Sequence, residues 1–360
     1  AALFLEHEKP MPIEEISLDP PGPGEVHVQW AASGVCHSDI SMWNGTLPVP
    51  PPSILGHEGA GRVVSVGAGV TEFAPGDHVI GSFVPTCGER FYCKNGQAFV
   101  CEKQYEIGFG RMPFSRKDGS RLMPGPGGIS TFEEETICSP AAIVKIPKDF
   151  DLVEASLIGC GVTTGVGSAL WAGKVTKGST TVVIGCGGVG ISVVQGCRIA
   201  KAGKIVAVDL NPQKRKLAEK FGATHSVDPS EVDLGEYIRK INDGRGADYA
   251  FEVVGNPKLQ RQAYDVTRPG GICVWVGVPN IAAEATIPAA LIVLENKSIV
   301  GTVYGSANVR TDFVKLVEFA KKGELDLKGM VSRRIALEEV NDAFRAMMEG
   351  EVIRSVIVYS

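Results

Sequence analysis

Thr181-Val-Val-Ile-Gly-Cys-Gly-Gly-Val-Gly190, followed by a helical pattern and then Lys204-Ile-Val-Ala-Val-Asp209, is the stretch from which the rest of the chain is read. Thr181 to Ile184 is a short β-branched run, the composition of a buried parallel strand. Gly185, Gly187 and Gly190 stand in the order G-x-G-x-x-G. The first makes a tight turn, the second lets backbone approach a pyrophosphate, and the third lets the following helix pack on the strand. That helix, opened by Gly188 and Val189, presents free N–H groups and a positive dipole end to phosphate. A second apolar strand, Ile205 to Val208, ends in Asp209, nineteen residues beyond Gly190. An acid there holds a ribose 2′-hydroxyl and repels a 2′-phosphate, so NAD is expected over NADP. Lys214 adds a cation that suits the adenosine ribose, though it would also serve a phosphate. Alone, the glycine pattern is a weak signal, because any tight strand-to-helix turn favours glycine. Strand before, helix after and acid at the next strand end make it strong.

The chain has 360 residues, room for two domains each with its own core. A hydrophobic fraction of 44% and a charged fraction of 21% are those of an ordinary soluble protein. A net charge of −5 gives no electrostatic reason to expect nucleic acid or an anionic membrane as partner. No apolar run is expected to approach the roughly 20 residues that span a bilayer. The first residues, Ala1-Ala-Leu-Phe-Leu-Glu-His-Glu-Lys9, lack a basic start and long apolar stretch and read as a strand. Nine scattered cysteines argue for thiolate chemistry in a reducing compartment, with the cytoplasm as the expected location, and against a disulfide framework.

Residues 1 to about 150 read as all-β. Segments such as Glu25–Trp30, Gly61–Val66 and Asp77–Ile80 are divided by turns, among them Asp19-Pro-Pro-Gly-Pro-Gly24. From 151 to 300 the period changes. Helical stretches (Val153–Ile158, Gly188–Ala200, Pro212–Phe221, Gly235–Asn242, Leu259–Thr267) alternate with short apolar strands (Val182–Ile184, Ile205–Val208, Tyr249–Val253, Ile272–Val276). That alternation marks a parallel sheet covered by helices. Beyond Tyr304 come two amphipathic helices, Asp312–Lys322 and Leu337–Met348, and a final strand, Ser355–Tyr359. The all-β segment needs sheet partners, so this tail is expected to return to it. The dinucleotide domain is then an insertion, with a site expected in the cleft between domains.

Three separated residues have the chemistry of a catalytic zinc site: Cys36 in Gly-Val-Cys-His-Ser-Asp, His57 in Gly-His-Glu-Gly-Ala-Gly, and Cys160 in Ile-Gly-Cys-Gly-Val-Thr-Thr. Two thiolates and one imidazole leave a fourth tetrahedral position open, which distinguishes a catalytic zinc from a closed structural one. Each residue alone reads equally as a small core thiol or a satisfied histidine.

In these contexts the chain resembles the zinc-dependent medium-chain alcohol dehydrogenases. Gly56-His57-Glu58-x-x-Gly61 with Gly67 and Val70 matches the family signature, as do Gly-Val-Cys-His-Ser-Asp, Gly159-Cys-Gly161 and Gly185-Cys-Gly-Gly-Val-Gly190, in the family's order and over essentially the whole chain. It is similar to the longer-loop branch, since Lys103 to Gly128 separates the last lobe cysteine from Ser130-Thr-Phe132. The resemblance implies an α/β protein: a GroES-like β-rich catalytic domain (1–161 and 304–360) and a doubly wound, parallel-sheet Rossmann coenzyme domain (162–303). It implies reversible oxidation of a primary or aromatic alcohol to an aldehyde or ketone, with hydride transfer to NAD. By position, Cys36, His57 and Cys160 match the zinc ligands, Glu58 a neighbouring carboxylate able to replace water on the metal, and Asp39 the acid that orients the histidine. Ser38 matches the hydroxyl that hydrogen-bonds the alcohol. His37 and Arg354 match pyrophosphate contacts. Thr164, Val189, Val276 and Val278 match the nicotinamide wall, and Leu47 and Phe83 the substrate pocket, to which Met42, Trp43 or Phe109 would add apolar surface.

Two positions depart from the family. Ser41 stands where many relatives place a histidine at the solvent end of the proton relay, and serine cannot accept a net proton near neutral pH. In Cys87-Gly-Glu-Arg-Phe-Tyr-Cys93, with Cys101 beyond, Arg90 replaces one of four thiolates that hold a structural zinc. A guanidinium has no lone pair to donate, so a closed four-thiolate site is impossible. Three cysteines with Glu89 or water remain able to hold an ion. A glutathione-adduct formaldehyde dehydrogenase, whose position matching Leu47 is acidic, is one alternative. A metal-free reductase, a non-enzymatic dinucleotide-binding protein and an enzyme that retains its nicotinamide are others. The apolar segment Ala289–Leu294 and strand Ser298–Val303 lie where the family pairs subunits, so a homodimer is expected, with a tetramer second.

Overall fold

The computed structural model describes residues 1–360. The chain forms two compact units, residues 1–160 with 308–323 and 327–360, and residues 161–307 with 324–326. In the first unit a seven-stranded sheet runs in the order Ile143–Ile146, His78–Gly81, Glu58–Val66, Val26–Gly34, Arg354–Val358, Val331–Ile335, with Glu135–Cys138 also paired to Val26–Gly34. Along Val26–Gly34, Val26, Val28 and Trp30 are buried while Gln29 between them is exposed, the two-residue period of a strand with one covered face. From Ala32 to Gly34 every residue is buried, because the strand there runs into the site described below. Trp30 packs with Val63, Phe73, Val79 and Ile129, and its indole N–H donates to the Ser130 carbonyl at 3.1 Å. Deleting a buried tryptophan side chain of this kind costs on the order of 3–5 kcal/mol.

The tail joins this sheet. Val356 faces Gly34 and Val358 faces Ala32 in antiparallel register. Helices also interrupt the segment read as all-β: His37–Trp43, Phe91–Lys94 and Gln104–Phe109. Each is too short to show a helical period. The first is held by its start, where the Asp39 carboxylate accepts the Cys36 backbone N–H at 3.0 Å.

The second unit is a six-stranded parallel sheet in the order His225–Val227, Lys204–Val208, Thr180–Ile184, Ala247–Glu252, Thr267–Trp275, Ser298–Gly301. The doubly wound fold class is as expected. The strand order reverses between Thr180–Ile184 and Ala247–Glu252, and ligands of such sheets bind beyond the carboxyl ends at that switch. The strand expected to start at Ile272 starts at Thr267 instead, through Pro269-Gly-Gly, where the pairing with Ala247–Glu252 shifts register.

One expectation needs correction. Leu152–Ala172 is a continuous 21-residue helical stretch, α-helical and π-helical in turn, with a mean hydropathy of 1.3, long and apolar enough by composition to cross a membrane. No unbroken apolar run betrays it, because Ser156, Thr163, Thr164, Ser168 and four glycines are spread along it. Most of its length is buried inside the protein, 78% of the most apolar 18-residue window, as in a core helix.

Candidate metal centre and dinucleotide loop

Antiparallel neighbours bring the end of one strand to the start of the next, and that register collects the first site. Gly34 pairs with Glu58 on one side and Val356 on the other. Cys36, just past the end of Val26–Gly34, therefore lies near His57 and Glu58, which open the next strand, and near Arg354, which opens the tail strand. Cys160 arrives on the π-helical turn Ile158–Val162, a local widening of the helix that recurs at functional sites. Its neighbour Gly159 makes this possible, since a Cβ there would stand 3.1 Å from the Glu58 Cα.

Ligand atoms of Cys36, His57, Glu58 and Cys160 all lie within 4.8 Å of one another, and all four residues are buried. The His57 Nδ1–H donates to Asp39 Oδ1 at 2.8 Å, which leaves Nε2 as the donor available to a metal. Asp39 thus fixes two things at once, the start of its own helix and the histidine tautomer. Burial alone would lower the His57 pKa, but the Asp39 charge and hydrogen bond outweigh it and hold the ring well above its usual value. A hydrogen bond from Cys160 and the adjacent imidazole hold the Cys36 thiol well below its ordinary value. The Cys160 thiol is raised by the same shared bond. Burial lifts the Glu58 carboxyl to about 7, against the pull of Arg354, with which it pairs. Two sulfurs, one imidazole and one carboxylate converging in a buried space are a donor set that fits zinc.

Around this cluster the Ser38 hydroxyl lies 3.8 Å from the Cys36 sulfur, and the Phe83 ring meets the His57 ring edge-on at 5.5 Å. Leu47 and Trp43 pack instead against a hydrophobic cluster of Phe4, Met11, Met42 and Phe344, with Met42 itself part of that core. Phe109 stacks on Tyr105. His37 is exposed, whereas Arg354, matched to the same phosphate role, is buried against Glu58. Sequence reasoning missed that pair, and no local signal marks two residues 296 positions apart. The Ser41 carbonyl accepts the Leu47 N–H at 2.8 Å.

The cysteine lobe differs. Cys87 Sγ lies 3.8 Å from Cys93 Sγ and 3.5 Å from Cys101 Sγ, and the Cys87 N–H points at the Cys101 sulfur at 3.4 Å. Arg90, exposed, precedes the short helix Phe91–Lys94. Burial would raise the Cys87 thiol, yet the Glu89 and Arg90 N–H groups pull it below its usual value, while burial lifts Cys93 to about 11.

In the second unit the three glycines divide their labour. Gly185 has φ +97°, and a Cβ on Gly190 would stand 1.9 Å from the Gly185 carbonyl oxygen. A Cβ on Gly187 would meet no protein atom within 4 Å. The protein itself leaves that space open at the N-terminus of the helix Gly188–Ile199, where a phosphate fits. Asp209 accepts the Cys186 N–H at 2.8 Å and the Asn211 N–H at 2.8 Å, so the acid also braces the loop. Lys214 and Val189 are half-buried, as is Thr164 on its helix, Val276 is buried, and Val278 is exposed.

Known proteins agree with this arrangement. Residues 22–148 match the model of the alcohol dehydrogenase GroES-like domain, and residues 188–322 that of the zinc-binding dehydrogenase domain. The chain is 40% identical over 374 residues to the alcohol dehydrogenase class-3 of Drosophila melanogaster, covering 100% of this chain and 97% of that protein. It is 39% identical over 372 residues to the S-(hydroxymethyl)glutathione dehydrogenase of Escherichia coli O1:K1, covering 100% and 99%. The crystal structure of benzyl alcohol dehydrogenase from Acinetobacter calcoaceticus superposes with a TM-score of 0.93 at 28% identity, covering 100% of this chain and 99% of that one. With two sulfurs and an imidazole gathered beside an oriented carboxylate, and an open glycine loop in a doubly wound sheet, the chain belongs to the zinc-dependent medium-chain alcohol dehydrogenase family, oxidoreductases that use zinc and a nicotinamide dinucleotide.

Proposed function

We propose that the chain oxidises primary or aromatic alcohols to the corresponding carbonyl compounds, reversibly, with NAD as acceptor. The observation that carries this reading is the buried convergence of Cys36, His57, Glu58 and Cys160 within 4.8 Å. Cys36, His57 and Cys160 would hold the zinc, with Glu58 beside it. When bound, zinc supplies a Lewis acid for the alcohol oxygen, and the dinucleotide accepts the hydride. Asp39 keeps the imidazole in one tautomer and orientation. Ser38 is placed to take the alcohol proton at its Oγ and pass it on, since its hydroxyl both accepts and donates. Ser41 cannot store that proton, so water carries it away. Phe83, edge-on to His57, supplies an apolar wall that keeps water from the reacting atoms. The Gly187 N-terminal turn would hold the pyrophosphate, and Asp209 the ribose.

Asp209 supports NAD over NADP. Asp209→Gly is expected to relax the bias against NADP by roughly tenfold, the worth of one hydrogen bond to a charged group. The check is the ratio of kcat/KM values for the two coenzymes. Wild-type protein that already uses both equally would overturn the argument from Asp209.

A second reading, oxidation of a glutathione adduct of formaldehyde, is favoured by the name of the Escherichia coli relative. Against it stands Leu47, apolar and packed on a hydrophobic cluster where that branch is expected to carry an acid. The test is a substrate panel of benzyl alcohol, hexanol and formaldehyde with glutathione, followed by NADH absorbance beside a zinc count per chain. Benzyl alcohol or hexanol as the better substrate supports the first reading; the adduct as the better substrate selects the second.

We propose further that two copies pair along the strand Ser298–Gly301. It is an edge of the six-stranded sheet, and Val293 and Leu294 of the preceding helix are 75% and 80% exposed. An apolar edge of this kind calls for a partner. Nine unpaired cysteines support the reading of a reducing, cytoplasmic setting.

A further inference from the structure

Glu252 ends the strand Ala247–Glu252, in register with Ile184 on one side and Trp275 on the other, at the carboxyl edge where the sheet changes direction. It has no solvent exposure. Its Oε1 accepts three backbone N–H groups, those of Val254 at 2.9 Å, Gly255 at 2.8 Å and Asn256 at 3.3 Å. Its main-chain carbonyl accepts two more, from Val276 at 2.8 Å and Gly277 at 3.0 Å. One residue therefore ties together the turn after its own strand and the turn after the adjacent strand.

Those two turns are in contact. Gly255 has φ +84°, and a Cβ on Gly277 would stand 2.0 Å from the Gly255 nitrogen. The second turn carries Val276 and Val278. Burial holds the Glu252 carboxyl above its ordinary value against the pull of the three N–H groups. Its Oε2 has no hydrogen-bond partner. Burying a carboxyl with one oxygen unused is costly to a fold, and local folding needs only the Oε1 acceptor. The carboxyl fixes the Val254–Asn256 turn, and that turn packs on the second one, where a Cβ on Gly255 would stand 2.6 Å from the Val278 carbonyl oxygen.

We infer that Glu252 is a positioning residue that sets the Val276–Val278 wall against the nicotinamide ring. This rests on the coenzyme reading above. It acts through backbone, touching neither coenzyme nor substrate, so its loss is felt by the nicotinamide half of the ligand and not by the adenosine half.

The experiment uses the full chain loaded with zinc and compares wild type with Glu252→Ala, Glu252→Asp and Glu252→Gln. NADH and ADP-ribose, which lacks nicotinamide, are titrated by fluorescence and calorimetry, beside kcat, KM for NAD and thermal unfolding. Glu252→Ala is expected to weaken NADH binding and lower kcat roughly tenfold, the loss of one or two buried hydrogen bonds, with ADP-ribose affinity changed by less than about twofold. Glu252→Asp, too short to reach all three N–H groups, should show the same split. Glu252→Gln, which keeps an acceptor oxygen, should restore most of the NADH affinity. If Glu252→Ala does not fold, the Asp and Gln pair carries the same comparison. Equal losses for both ligands, or unchanged NADH binding in a destabilised variant, would mean a purely structural role and overturn the inference. If wild type binds neither ligand, the coenzyme reading fails; if wild type binds both and no variant shows the split, only the Glu252 inference fails.

Discussion

The first unit holds two clusters of sulfur in opposite surroundings. Cys36 and Cys160 are buried beside an imidazole, a carboxylate and the Glu58–Arg354 ion pair, with every charged neighbour matched to another. Cys87, Cys93 and Cys101 are as close to one another, but two of the three are half-exposed, and Arg90, which has no lone pair to give, stands where a fourth thiolate would complete the set. Proximity of thiols is common to both. What separates them is the surroundings: the buried centre gathers an imidazole, a carboxylate and a paired cation beside its sulfurs, while the lobe leaves its sulfurs near solvent and an exposed, permanently charged Arg90.

The largest effect belongs to the buried centre. Cys36→Ser or His57→Ala should abolish turnover and remove one zinc per chain while NADH affinity stays near that of wild type, as read by absorbance, metal analysis and fluorescence titration. Full activity in verified zinc-free protein would break the comparison at its root. A step smaller, Asp39→Asn leaves all the metal ligands in place but removes the charge that orients His57. Zinc affinity or activity should fall roughly 10- to 100-fold, measured by competition with a chromogenic chelator. The smallest effect on catalysis comes from the lobe. Arg90→Cys supplies the missing thiolate, so zinc retained after dialysis against chelator should rise by one ion per chain with kcat almost unchanged. A wild-type lobe that already keeps its ion through such dialysis would show that three sulfurs and a solvent donor suffice.

The dinucleotide half was the more legible part. Strand, glycine turn, helix and acid lie within one short stretch, so local chemistry specified them: Gly185 takes the positive φ of a tight turn, Gly190 allows close approach to the Gly185 carbonyl, and Gly187 leaves open space. Long-range register was hidden. Nothing near Glu58 announces Arg354, because the two meet only when the tail strand lies beside Val26–Gly34. Short elements were hidden too: the helix His37–Trp43 is set by one carboxylate, not by a period. Glu252 was legible in principle as an acid between the apolar run Tyr249-Ala-Phe251 and Val-Val-Gly, but its three N–H partners are a property of the folded turn. The buried helix Leu152–Ala172 escaped because polar residues and glycines break its run while leaving its mean hydropathy high.

The strand Arg354–Val358 has one more consequence, for the order of events on the ribosome. Positions 36, 57 and 160 leave the exit tunnel well before 354 is synthesised, so a nascent chain can present both sulfurs and the imidazole while the carboxylate beside them still lacks its cation. The buried centre is therefore completed only after residue 354 has emerged, long after its sulfurs and imidazole, so the ion pair beside the metal ligands joins a pocket whose other members were made much earlier.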